Sequence, residues 1–276
     1  MRRMLVALVV LAASACAAPK PTSEPLAKSR LMEAEARAGA LARSGDYAGA
    51  ARFYGDALRL ATALENADAI AANAINLSVV QQWLGHNDEA RAALAAVLDN
   101  PRTPFSERRK LQAELRRAIL ELSVNNVGAA AVWIGQAERR CADLSCEYAA
   151  TLLNVRAQVE LESAHAADAE RLALAAAERA RANPSEMANA LRTLGRARQA
   201  QGQPRTAIEP LQQALSLDRD LGDPRKILAD LSELSRAADA AGDTRAARDY
   251  RERGLAVSRA MSDGKSGTEM EALLRR

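Results

Sequence analysis

Aromatic side chains are scarce in this 276-residue chain: two Trp, two Phe and four Tyr, 3% of the whole. A core of stacked rings is therefore excluded, and a sugar-binding groove, which commonly relies on aromatic faces, has little to be built from. Histidine is scarcer still, with only His86 and His165. No H-E-x-x-H, C-x-x-C, Gly-rich phosphate loop or G-x-S-x-G occurs, so no nucleophile, base and orienter can be assembled, and neither a metal site nor a cofactor is expected. The longest uncharged apolar run, from Met4 to Ala13, is too short to cross a bilayer as a permanent helix. Neither charge sign dominates: 38 Lys and Arg face 35 Asp and Glu, and the net charge of +3 falls to +1 once Arg2 and Arg3 are set aside. Nucleic acid is not indicated as a partner.

Small and aliphatic residues are what the chain has in quantity. Apolar residues make up 49% of it, a composition rich in Ala and Leu that suits closely stacked helices better than sheets. They recur in six copies of one pattern, clearest in SGDYAGAARFYGDAL around Gly45 and QGQPRTAIEPLQQAL around Gly202. Each copy ends one amphipathic helix at a turn residue, starts another, and places Ala about five positions on. Gly45, Gly85, Asn125, Ala164, Gly202 and Gly242 mark the turns, separated by 40, 40, 39, 38 and 40 residues. So regular a period belongs to stacked helical hairpins, each touching only its neighbours, and not to one globular core. Carboxylates at helical spacing with Arg, as in EARAGALAR and RDYRERG, read as solvated helix faces.

Prolines sharpen the boundaries. Asn183-Pro184 and Asp223-Pro224 place a capping side chain before a Pro in the first turn of a helix, Thr103-Pro104 is expected to do the same, and Pro204 opens a second helix. Pro210 lies inside that helix and is expected to kink it or leave its first turn ragged.

Two copies carry a family likeness most plainly. In the fifth, Leu194 and Gly195 form a leucine-glycine pair, Ala207 is the small residue of the second helix, and Leu211, Ala214 and Leu215 continue its stripe. In the first, Gly45, Asp46 and Tyr47 precede Ala50, Tyr54, Ala57 and Leu58. The array resembles the tetratricopeptide repeat family. The resemblance implies an all-α, right-handed superhelical solenoid of about six helix-turn-helix repeats, here with twelve helices, in which the first helix of each repeat lines a concave groove. It also implies the groove residues: Asn73, Asn76 and Gln82 in the second copy, Asn154 and Gln158 in the fourth, Arg192, Arg196 and Gln199 in the fifth, and Arg236 in the sixth. Some family members clamp a peptide carboxylate with Asn and basic residues from successive repeats. Asn76 and Arg116 could fill two such places, but Glu35 and Gly39 stand where the first repeat of that clamp needs Lys and Asn, so the full clamp is not expected.

The N-terminus has the three-part layout of a secretory signal over residues 1–15. LAASAC, Leu11 to Cys16, resembles a bacterial lipobox, with lipid on Cys16, although Ala13 stands where a larger aliphatic residue is usual. Ala13, Ser14 and Ala15 also read as an A-x-A site for plain secretion, so an anchored and a soluble form both stand. Residues 16–29 read as a Pro- and Ser-rich tether, 30–261 as the repeat domain, and 262–276 as a tail whose TEMEALLRR segment opens with a capping box. If the lipoprotein resemblance holds, Ala17 after the Cys implies the outer membrane, facing the periplasm. Cys141 and Cys146 are five apart, which on an unbroken helix points them about 140° away from each other. At a repeat junction in an exported chain they can instead form a disulfide, the alternative being two buried thiols.

The expected function is a non-catalytic scaffold or adaptor of the bacterial cell envelope that holds protein partners, including ones with acidic segments, in the groove. A periplasmic ligand- or glycan-binding protein, or a secreted repeat protein, is the alternative.

Overall fold

The computed structural model describes residues 26–142 and 146–261. The signal segment with Cys16 and the 262–276 tail lie outside them. Twelve helices fill the described residues, with no strand among them: α1 (Leu26–Ser44), α2 (Tyr47–Ala63), α3 (Ala67–Trp83), α4 (Asn87–Leu98), α5 (Glu107–Ser123), α6 (Val127–Ala142), α7 (Ala149–Glu162), α8 (Ala166–Arg179), α9 (Pro184–Ala200), α10 (Pro204–Asp220), α11 (Pro224–Ala240) and α12 (Thr244–Ala260). They pair as six antiparallel hairpins stacked in chain order. The first helix starts at Leu26, inside the segment expected to be tether.

All six turn positions marked by the repeat have positive φ, including Asn125 (58°) and Ala164 (64°). The following residue closes each turn by donating its N–H five residues back, as in His86 N to Gln81 O at 2.9 Å and His165 N to Glu160 O at 2.8 Å. This is the Schellman geometry, in which one left-handed residue satisfies the orphan carbonyls of the ending helix. Two turns between hairpins, at Glu65 (φ 51°) and Gly222 (φ 67°), repeat it. At several of these turns the next residue's side chain also caps the following helix, whereas His86, His165 and Gln203 make no such bond. Asp46, Asn66 and Asp243 accept from the backbone N–H three residues on, at 2.8, 3.1 and 2.9 Å.

Asn183 and Asp223 cap α9 and α11 ahead of their prolines, as expected. Thr103-Pro104 does not cap α5. Ser106 does, and Asn100 instead folds the preceding loop by accepting from the N–H of Arg102 and of Thr103. The helix α10 continues through Pro210. Because Pro210 has no N–H, the Thr206 carbonyl four residues back loses its helical donor. Arg198 of α9 supplies another, at 3.0 Å.

Close approach within the hairpins rests on Ala and Gly. Ala50, Ala57, Ala90, Ala130, Ala169, Ala207 and Ala247, one or two per hairpin, are fully buried, and Leu94, Leu111, Leu120, Ile134, Leu211, Leu231 and Leu234 fill the space beside them. At Gly195 an added Cβ would lie 2.5 Å from Leu211 Cγ, so that crossing admits only glycine unless the buried Leu211 side chain shifts.

Candidate functional site

Successive first helices, α3 with α5, α5 with α7, α7 with α9 and α9 with α11, touch one another, whereas the second helices make no comparable contact across hairpins. The first helices are thus the crowded inner layer of the curve, and the groove expected from the sequence is their exposed face. Polar side chains reach along that layer from each hairpin to the next. Asn73 on α3 donates to Glu35 on α1 at 2.6 Å, and Arg109 on α5 grips both oxygens of Asp68 on α3 at 2.6 and 2.7 Å. Lys226 on α11 donates to Ser185 on α9 at 2.8 Å.

Four of the nine expected groove residues, Asn73, Gln82, Arg192 and Arg196, belong to these links. Asn73 is 1% exposed and also donates to the Ala69 carbonyl at 2.8 Å, so it serves the joint between the first two hairpins. Asn154 is 4% exposed, and its Oδ1 has no partner among the described residues. Asn76 is exposed, and Gln158 is half-buried. Arg116 is buried, donating to Ser78 Oγ at 2.9 Å, the Ser78 carbonyl at 3.0 Å and Gln82. Burial against these neutral acceptors pulls its pKa down to about 10.

The three arginines form a graded series. Arg192 on α9 lies between two fully buried carboxylates, bonding Asp218 of α10 and, at 2.5 Å, Asp230 of α11. Removal from water raises the Asp230 pKa to about 7, Arg192 opposes the rise, and the neighbouring Asp218 adds to it. Arg196, one helical turn on, bridges Glu162 of α7 at 2.6 Å and Glu233 of α11 at 3.5 Å. Arg236 pairs with Glu233 at 2.7 Å and remains 51% exposed. Together Glu162, Arg196, Glu233 and Arg236 form a charge ladder crossing three first helices at the surface. Residues with no sequence signal of their own, Glu162 and Glu233, thus complete the arginine set.

His86 and His165 occupy equivalent places just after the turns of the second and fourth hairpins. Each ring nitrogen bonds a side chain five residues back, Gln81 at 3.0 Å and Glu160 at 2.9 Å. Cys141 and Cys146 are joined by a disulfide, with Cα atoms 5.4 Å apart, between the end of α6 and the start of the fourth hairpin.

No family profile and no curated protein matches the sequence. Several solved structures match the fold. A signal-transduction ATPase of Pyrococcus horikoshii with a tetratricopeptide repeat sensor is 16% identical, with a TM-score of 0.63 over 90% of this chain, which spans 37% of that one. A Rap protein complexed with competence and sporulation factor is 15% identical, with a TM-score of 0.65 over 90% of this chain and 69% of its own. PilW, a type IV pilus biogenesis factor, is 16% identical, with a TM-score of 0.57 over 90% of this chain and 99% of its own. With the six hairpins and their small-large packing, these likenesses give the chain its place: it is a solenoid of the tetratricopeptide-repeat fold.

Proposed function

We propose that the chain is a non-catalytic protein-binding scaffold of the bacterial cell envelope, held by lipid on Cys16 at the outer membrane and facing the periplasm. The observation that carries the reading is the continuous inner layer of first helices, whose surface ladder offers paired charges that a partner can exchange. An acidic segment replacing Glu233 beside Arg236 and Arg196 would trade one carboxylate for another, which planar guanidinium groups accept in bidentate geometry. Asn76 and Gln158 supply neutral donors further along. Arg192, enclosed by its two aspartates, holds the layer together and does not meet the partner. The solved relatives lend support from outside: one was crystallised with competence and sporulation factor, and another is a type IV pilus biogenesis factor.

Crosslinking in membranes followed by capture of the anchored chain tests the reading. Arg236→Glu with Arg196→Glu should abolish partner capture, while Arg248→Glu on α12 should leave it intact; the reverse pattern refutes a groove on the first helices. Cys16→Ser should release the chain from membranes, because the acyl chains provide attachment at about 0.8 kcal/mol per buried CH₂. An intact mass of the mature protein with an unmodified N-terminus would remove the lipid from the proposal.

A further inference from the structure

One contact joins residues 178 positions apart. Arg225, in the first turn of α11, donates from Nε to the Tyr47 hydroxyl at 2.9 Å. Its guanidinium carbon lies 4.5 Å from the centre of the Tyr47 ring and 5.3 Å from that of Trp83. The two rings meet edge to face at 4.8 Å. Tyr47 opens α2, and Trp83 closes α3. The contact therefore joins the turn rims of the first and second hairpins to the opposite rim of the sixth.

In a solenoid each hairpin normally touches only its neighbours, so its pitch is the sum of small rotations at each boundary and is soft. A direct tie from the sixth hairpin back to the first two couples one superhelical turn to the next. The chemistry suits such a tie. A guanidinium over aromatic faces keeps its attraction when partly wet, and the hydrogen bond to Tyr47 fixes its orientation. Trp83 is 42% exposed, one of the few large apolar side chains left at the surface among the described residues, and its ring meets Tyr47 and the Arg225 guanidinium. Arg225 brings no carboxylate into the cluster, so the tie does not depend on an ion pair that salt would screen.

We propose that Arg225, Tyr47 and Trp83 form a clasp that holds successive turns of the superhelix together, and that releasing it lengthens the solenoid and opens its inner face. The clasp is a conformational device independent of what the groove binds. A partner that needs a longer pitch must displace Arg225, and one that fits the closed pitch is selected by it.

Small-angle X-ray scattering on the full chain tests this without any partner. Arg225→Ala should increase the radius of gyration and the maximum dimension while helicity by circular dichroism is retained. Tyr47→Phe, which removes the hydrogen bond and keeps the ring, should give a smaller increase in the same direction. Arg253→Ala, which removes a cation–ring contact confined to α12 (5.3 Å from the Tyr250 centre), should change neither dimension. Scattering curves for Arg225→Ala and Tyr47→Phe that superimpose on the parent would overturn the clasp, as would an equal expansion in Arg253→Ala. Should Arg225→Ala lose helicity, Tyr47→Phe decides the matter alone.

Discussion

The boundaries on either side of the third hairpin are built differently from the other three. Three or four residues join α2 to α3, α8 to α9 and α10 to α11, and those helices pack along their lengths. Eight residues separate α4 from α5 and six separate α6 from α7, and both pairs touch over a shorter stretch. Specific links make up the difference. At the second-third boundary Phe105 is buried from the loop, and Glu121, itself 1% exposed, accepts from Arg91 of α4 at 2.9 Å and Arg117 of its own helix at 2.6 Å. At the third-fourth boundary stand the disulfide, Arg156 to Glu138 at 3.0 Å, and the Tyr148 hydroxyl, which receives Arg108 and Gln112. A solenoid can thus exchange continuous helix contact for a few polar or covalent ties. It then depends on single residues where its other joints depend on many.

The largest effect expected from that contrast is at Glu121. Glu121→Ala leaves two partly buried guanidinium groups without their shared carboxylate and should lower stability by about 3 kcal/mol, read as a fall in denaturant midpoint. At a tight boundary, Lys226→Ala removes the link to Ser185 and should lose less than about 1 kcal/mol, because α10 and α11 hold each other without it. Equal losses would dissolve the distinction.

Reducing the disulfide comes next. Closing so short a loop is worth about 2 kcal/mol, so reduction should raise amide exchange in α6 and α7 while α9 to α12 keep their protection. Uniform loosening would mean that the boundaries are not independent.

Acid should act in opposite directions at the two kinds of joint. Hydrogen bonds from Arg109 to Asp68 and from Arg91 and Arg117 to Glu121 hold these carboxyl pKa values below their ordinary range. Their contribution is present above that range and is lost as pH falls below it toward their lowered values. Asp230, between the fifth and sixth hairpins, is raised from 3.8 to about 7, so the folded state binds more protons than the unfolded across that window. Its share of stability falls as pH rises from about 4 to about 7. Acidification from about 7 to about 4 should therefore lower exchange around α11, and acidification below the ordinary carboxylate range should raise exchange around α5; Asp230→Asn should remove the α11 response. Parallel pH responses in both regions would contradict the assignment.

The smallest effect refines the turns. Ala164 takes a left-handed conformation that glycine holds at the corresponding place in four hairpins. Ala164→Gly should raise stability by about 1 kcal/mol in thermal unfolding, whereas Gly202→Ala should lower it by a similar amount.

Local rules made the turns legible in the sequence. A turn between two amphipathic stretches leaves a short-range signature, and its recurrence every 38 to 40 residues is why even Asn125 and Ala164 could be placed without a glycine. Ala207 and Gly195 were readable for the same reason, since a small residue at a crossing is required by the packing of one hairpin alone. Side chains that act between hairpins were not readable. RDYRERG reads as a solvated face, and Arg248 with Glu252 and Arg253 with Asp249 lie there, but Arg251 is buried against Asp239. Asp218 and Asp230, fully enclosed, look in the sequence like any other helical carboxylates. What distinguishes them is a neighbour 26 or 38 positions away, and the meeting of Arg225 with Tyr47 depends on the summed curvature of all the intervening hairpins.

The bond from Arg198 to the carbonyl freed by Pro210 has an evolutionary corollary. The two positions, twelve apart and on different helices, are coupled: with proline in place, loss of the arginine leaves the exposed Thr206 carbonyl to water alone, and with Pro210→Ala the helix satisfies that carbonyl itself. Substitutions at 198 break the ion pair with Glu170 in either background, and with proline in place they also remove the Thr206 carbonyl's donor, so their cost should be smaller after Pro210→Ala. A lineage sheds the arginine at lower cost once it has shed the proline.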